Sequence, residues 1–127
     1  MPDKNISLTN AEWNVMECLW EASPQKSREL VEQLKSSTGW SKSTTLTMLK
    51  RMTEKGLISC NMSDKIRTYS PCIDRKAVVK TETESFLKRV YKGSVSLMMS
   101  AMTKEQELSK EEIDELYQIL KNAQKSD

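Results

Sequence analysis

A mainly helical fold with one short β-hairpin is what this 127-residue sequence predicts, and three observations predict it. Apolar residues recur at spacings of three and four over most of the chain, the period of an amphipathic helix. Only 3 Gly and 3 Pro interrupt it, so regular elements should outnumber loops. Two stretches, 57–61 and 66–71, read instead as short strands, and Ser63-Asp64-Lys65 supplies the turn between them.

The elements follow in order. Thr9 caps a first helix, with Glu12 three residues later completing a capping box. Trp13, Val15, Met16, Leu19 and Trp20 give that helix a broad buried face, and Ser23-Pro24 ends it. A second helix runs from near Ser27 through Leu30, Val31 and Leu34 to about Lys35, and Ser36-Ser37-Thr38-Gly39 makes a turn. A third starts at the N-cap Ser41 and ends at Gly56, the residue suited to the left-handed stop. Helix, helix, turn, helix, hairpin is the order of a winged helix-turn-helix, which we assign to residues 1–73.

After Pro71 the pattern changes. Asp74 caps one long helix that runs to Tyr91 and halts at Gly93. Val95 to Met102 is short and apolar, with three methionines that we read as adaptable interface packing rather than as thioether ligands for Cu(I). Ser109-Lys110-Glu111-Glu112 is a second capping box, opening a helix through Ile113, Leu116, Ile119 and Leu120. Three helices of this size cannot bury their own stripes, so residues 74–127 are expected to form a helical dimerisation domain. Phe86, Val90, Leu97, Met98, Met102, Ile113, Leu116 and Leu120 are its expected contact residues.

Composition narrows the function. The hydrophobic fraction is 37% and the charged fraction 30%, near globular norms. Net charge is only +2, but from Ser27 to Arg67 eight basic residues face four acidic ones, whereas from Asp74 onward the signs balance. A local basic excess is what a phosphate backbone responds to. With no His in the chain, mixed Cys/His zinc sites are excluded. Cys18, Cys60 and Cys72 lack metal-ligand spacing; they are expected to be reduced, buried or semi-buried thiols, with Cys60 and Cys72 close enough in sequence to the hairpin for a redox pair. No Gly-rich phosphate loop, paired-Cys motif or acid/base carboxylate couple is present, so neither an enzyme nor a cofactor is expected. No apolar run nears the ~18 residues of a membrane span, and Met1-Pro2-Asp3-Lys4-Asn5 does not read as a secretory leader, which points to the cytoplasm.

The third helix carries the function. Thr45, Met48, Leu49 and Met52 share one side, the core-facing stripe. Around the rest lie Ser43, Thr44, Leu46 and Thr47, short side chains suited to base edges and thymine methyls, with Lys42, Lys50 and Arg51 placed for phosphates. So many hydroxyls make a poor helix start in water and a sensible one in a major groove. Lys65 and Arg67 near the hairpin tip, and Arg28 at the start of the second helix, are further phosphate-binding candidates.

Ala11-Glu12-Trp13-Asn14-Val15-Met16, Trp40-Ser41, Lys55-Gly56-Leu57-Ile58 and Leu108-Ser109 with Glu112-Ile113 and Glu115-Leu116 together resemble the penicillinase and methicillin-resistance repressor family, collinearly from about Leu8 to Leu120. The resemblance implies a homodimeric repressor on a pseudo-palindromic operator in double-stranded DNA, controlling antibiotic resistance. It also implies relief by cleavage in the dimerisation domain, set off by a membrane-bound sensor metallopeptidase system. Two departures stand out. Ala101 and Met102 occupy the positions of that family's Asn-Phe scissile bond, still a small residue followed by an apolar one. Ser43 and Leu46 stand where its best-known members have basic residues, while Thr44, Thr47 and Arg51 match, so the operator sequence is expected to differ. The copper-responsive branch, with its C-terminal cysteines, does not fit a chain whose last cysteine is Cys72. The rival to DNA binding is a winged-helix module that docks another protein through its C-terminal helices.

Overall fold

The computed structural model describes residues 6–105 and 107–125; Met1 to Asn5, read above for a leader segment, lie outside the described residues. The elements run α1 (Asn10–Glu21), β1 (Gln25–Lys26), α2 (Ser27–Thr38), α3 (Lys42–Glu54), β2 (Ile58–Ser63), β3 (Ile66–Pro71), α4 (Arg75–Tyr91), α5 (Val95–Glu105) and α6 (Lys110–Lys125). They fall into two compact units, Met1–Thr83 and Glu84–Asp127.

The first unit is a winged helix. At the start of α1, Thr9 Oγ1 accepts from the Glu12 N–H at 3.1 Å and the Thr9 N–H donates to Glu12 Oε1 at 2.9 Å, the reciprocal pair a capping box requires. Val15, Met16 and Leu19 of α1, Leu30 and Leu34 of α2, and Leu49 and Met52 of α3 form the core, which Ile58 and Tyr69 of the sheet close. Helix α2 continues to Thr38, through the stretch expected to turn. There the Thr38 hydroxyl donates to the Leu34 carbonyl at 2.5 Å, and Gly39, at φ 79°, makes the left-handed stop. For α3, Ser41 Oγ accepts from the Thr44 N–H at 3.2 Å.

The sheet corrects the expected two-stranded hairpin. It has three strands in the order β1-β3-β2, all antiparallel, with Gln25 opposite Tyr69 and Lys26 opposite Thr68. Two residues cannot show a period, so β1 left no pattern in the sequence. Its role is visible in the buried Gln25, whose amide donates to the carbonyls of Cys18 (2.8 Å) and Ala22 (2.7 Å) at the end of α1 and whose oxygen accepts from Gln33.

Two buried polar groups of this unit are informative. Glu12, 5% exposed, pairs with Lys55 just after α3. Burial disfavours its charge, but Lys55 and the hydrogen bonds from Thr9 outweigh that, and its pKa lies below the ordinary 4.5. A carboxyl more acidic in the folded than in the unfolded chain contributes stability above the ordinary value and loses it as pH falls through the folded one. The urea resistance of the wild type is therefore expected to fall below about pH 4.5, with that portion of the acid loss missing in Glu12→Gln. Thr45 lies on the buried stripe of α3, and among the described residues its hydroxyl is the buried side-chain polar atom without a hydrogen bond. Thr45→Val removes that unmet group and should raise stability by about 1 kcal/mol in the same denaturation assay.

The second unit comprises the end of α4, α5 and α6. Ser94 Oγ accepts from the Leu97 N–H, and Ser109 Oγ from the Glu112 N–H, each at 3.1 Å, so hydroxyl caps open both α5 and α6. Among its described residues no side chain is fully buried.

Candidate nucleic-acid interface

The rotation of α3 is set by what it buries. Thr45, Leu49 and Met52 are inaccessible and Met48 is half-buried. The remaining arc is turned outward: Lys42, Ser43, Thr44, Leu46, Thr47, Lys50 and Arg51 are all exposed. At its N-terminal end Ser41 Oγ also lies 3.3 Å from Ser43 Oγ and 3.0 Å from Thr44 Oγ1, so three hydroxyls cluster on the first turn.

The hairpin meets this helix by the arithmetic of the pleat. Side chains alternate between faces, so the pairs Ile58–Pro71, Cys60–Tyr69 and Met62–Arg67 share one side of β2 and β3. The inner end of that side, Ile58 and Tyr69, joins the core. Its outer end, carrying Arg67, faces α3 across a hollow of about 640 Å³ that Thr47 and Lys50 also line. A second hollow of about 560 Å³ opens between the start of α2, the start of α3 and the hairpin. Arg28, Lys42, Lys65 and Arg67, four of the six cations singled out from the sequence, line it together over a floor of Val31, Leu46 and Ile66. Lys50 and Arg51 lie further along α3, Lys50 in the first hollow.

Two members of this surface were missed by the sequence reading. Lys26 joins the second hollow because β1 holds it there. Ile66, 44% exposed at the start of β3, gives the wing an apolar side chain beside the hollow. No periodic signal marks either. Among the described residues two ion pairs form, Lys55–Glu12 and Arg75–Glu17, and neither takes a cation from this face. Its positive charges form no ion pair, although Glu32 lines the second hollow and Glu54 the first.

Two of the three cysteines depart from expectation. Cys18 is half-buried, and burial beside Glu21 and Glu17 pushes its thiol pKa up; Cys60 and Cys72 are exposed. Cys60 pairs with Tyr69, while the Cys72 N–H bonds to the Leu57 carbonyl three pairs away, about 10 Å along the strands. That separation exceeds what a disulfide spans, so the two are not a redox pair in this fold. Burial, the facing Cys60 thiol and its hydrogen bond raise the Tyr69 pKa, against the opposing pull of Arg67.

The profile of the family described as penicillinase repressor matches residues 8–122. The chain belongs to the penicillinase repressor family. Family members are repressors rather than enzymes. The penicillinase repressor of Bacillus licheniformis is 35% identical over 113 residues, covering 89% of this chain and 88% of that one. The methicillin resistance regulatory protein MecI of Staphylococcus aureus is 28% identical over 120 residues, covering 94% and 98%. Among solved structures, monomeric Bacillus licheniformis BlaI in complex with the blaP half-operator is similar at 29% identity and a TM-score of 0.52, over 57% of this chain and 89% of that one. The DNA-binding domain of the repressor BlaI gives the same TM-score at 28% identity, over 61% and 93%.

The wing tip offers a direct test of function against stability. Asp64 and Lys65 form the two-residue turn with both φ values positive, at 52° and 64°, a conformation costly for any residue with a Cβ. Lys65→Gly should therefore stabilise the hairpin, by about 1 kcal/mol in thermal or chemical denaturation, while removing a cation from the hollow.

Proposed function

We propose that this chain is a homodimeric transcriptional repressor that reads a pseudo-palindromic operator with one winged helix per half-site. The observation that carries the DNA-binding part is the outward arc of α3, with hydroxyls at its first turn and unpaired cations on α3, α2 and the wing. Ser43, Thr44, Leu46 and Thr47 contact base edges; Arg28, Lys42, Lys50, Arg51, Lys65 and Arg67 contact phosphates. The half-operator complex of the BlaI relative supports this reading.

Dimerisation rests on the second unit. Phe86, Val90, Leu97, Met102, Ile113 and Leu120 are exposed on the single chain, and Met98 and Leu116 are only half-buried. Val95, Tyr117 and Ile119 add to that apolar surface. A second copy is the simplest cover, with the dimerisation domain expected over 74–127 lying mainly in the second unit while the start of α4 stays with the reading head. Linking two weak half-site contacts raises affinity by roughly 10² to 10⁴, so separating the copies releases the DNA without altering α3. Ala101 and Met102 lie within α5, half-buried and exposed respectively. Cleavage there, driven by a membrane-bound sensor metallopeptidase system, would cut the chain before α6 and so disable the dimer. Among the described residues no helix is long and apolar enough to cross a membrane, and the repressor works in the cytoplasm on resistance genes.

Fluorescence anisotropy against pseudo-palindromic duplexes from upstream of the chain's own gene, at two salt concentrations, tests this. Saturable binding should weaken steeply with salt, and Arg51→Ala should bind at least about tenfold more weakly. Sedimentation of the same sample should give twice the 14.6 kDa chain mass. Binding no tighter than to a random duplex at either salt would reject the repressor reading in favour of a protein-docking module.

A further inference from the structure

The head does not end at the wing. After β3 the chain returns to α1, and three contacts bind the start of α4 to that helix, all within the unit Met1–Thr83. The indole N–H of Trp20 donates to the Ile73 carbonyl at 2.9 Å. Arg75, the first residue of α4, grips Glu17 through both carboxylate oxygens, Nε to Oε1 at 3.0 Å and Nη2 to Oε2 at 3.1 Å. The same guanidinium lies 6.0 Å from the centre of the Trp20 ring, which is braced edge-on by Trp13 at 5.6 Å. One turn further, Val78 is 2% exposed and joins the core.

These contacts orient more than they stabilise. Arg75 and Glu17 are each about half exposed, where ion pairs contribute little to folding. A two-bond fork nevertheless fixes direction as a single contact cannot, because a planar guanidinium and a planar carboxylate align in one way. Trp20 fixes the backbone two residues before that point, and Val78 prevents the first turns of α4 from lifting. Within this unit α4 keeps that direction from Arg75 to residue 83.

We propose that Glu17, Trp20 and Arg75 are positioning residues that fix the direction in which the chain leaves the DNA-reading head, and so set the half-site spacing the dimer accepts. The proposal rests on the operator-binding reading above. An exit fixed on the head narrows the range of positions open to the partner head, which concentrates it at a correctly spaced half-site; a loose exit widens that range. None of the three residues lines the cation-rich hollows beside α3, so they can alter spacing without altering contact with a half-site.

The test compares three duplexes by anisotropy: the bound pseudo-palindrome, the same sequence with two base pairs inserted at its centre, and a single half-site. The insertion turns one half-site by about 70° at roughly 10.5 base pairs per turn. Arg75→Ala should bind the half-site as the wild type does, bind the intact palindrome about tenfold more weakly, and lose much of the discrimination against the insertion. Trp20→Phe, which keeps the ring and removes the bond to Ile73, should shift the same way. The charge exchange Glu17→Arg with Arg75→Glu should restore discrimination. Equal weakening on all three duplexes, or unchanged discrimination in Arg75→Ala, would overturn the proposal while leaving the repressor intact. A wild-type chain that prefers none of the duplexes to random DNA would instead reject the repressor reading itself.

Discussion

The burial of one narrow stripe on α3 is the constraint from which the rest of the head follows. Thr45, Leu49 and Met52 fit against α1 and α2, and their spacing of three and four allows the helix a single rotation. Once that rotation is fixed, the side chains on the remaining arc have no choice of direction. A slip of one residue would carry Leu46 or Lys50 inward and Thr45 or Leu49 out. Specificity for a ligand is thus held by apolar contacts on the opposite side of the helix, where no ligand comes. The pleat does the same for the wing: with Tyr69 buried in the core, Arg67 two residues earlier must point along the same face toward α3.

The two units resolve the competition between apolar surface and chain length differently. The head gathers thirteen buried hydrophobic residues into one core, drawing on all three of its first helices and on the sheet. The second unit has comparable apolar content and, among its described residues, no buried side chain. Short amphipathic helices shed their stripes onto one another only when enough of them meet, and here there are too few. On the proposed dimer reading, such a unit gains its stability on association, which ties its folding to concentration.

Much of this was legible in the residues. The capping box at Thr9 and Glu12, the N-cap at Ser41 and the stop at Gly56 are local chemistry, fixed by neighbours three or four positions away, and they stand where the sequence puts them. The apolar stripes were equally plain, since a period of 3.6 over a dozen residues has little other explanation. What escaped notice depends on contacts between distant segments. Strand β1 exists because β3 comes to lie beside Gln25 and Lys26, and nothing in those two residues announces it. The buried Glu12 is of the same kind: a capping residue to the eye, it is also the partner of Lys55, 43 positions away. The exposure of Cys60 and Cys72 was misjudged because cysteine is usually buried and because the outward ends of a wing have no core to face. For the candidate site, the list of cations was readable but their convergence was not. Arg28, Lys42, Lys65 and Arg67 span 40 positions of chain and share one hollow only because the hairpin folds back over the starts of α2 and α3.

The charge balance of the chain now has a physical sense. A net charge of +2 gives little long-range attraction to DNA, and salt shortens its reach to about 8 Å under physiological conditions. What matters at that range is the local arrangement: Glu32 and Glu54 border the two hollows, where the cations outnumber them. Glu12 is held by Lys55 and Glu17 by Arg75, both on the α1 side of the head, while the cations around the hollow carry no ion pair. The balanced charges of the later helices add no attraction to unrelated polyanions, so on the proposed dimer reading affinity falls on the geometry of two heads rather than on bulk charge. A repressor built in this way would be weak as a single head and strong as a correctly spaced pair, and that difference is what a switch acting on the second unit can use.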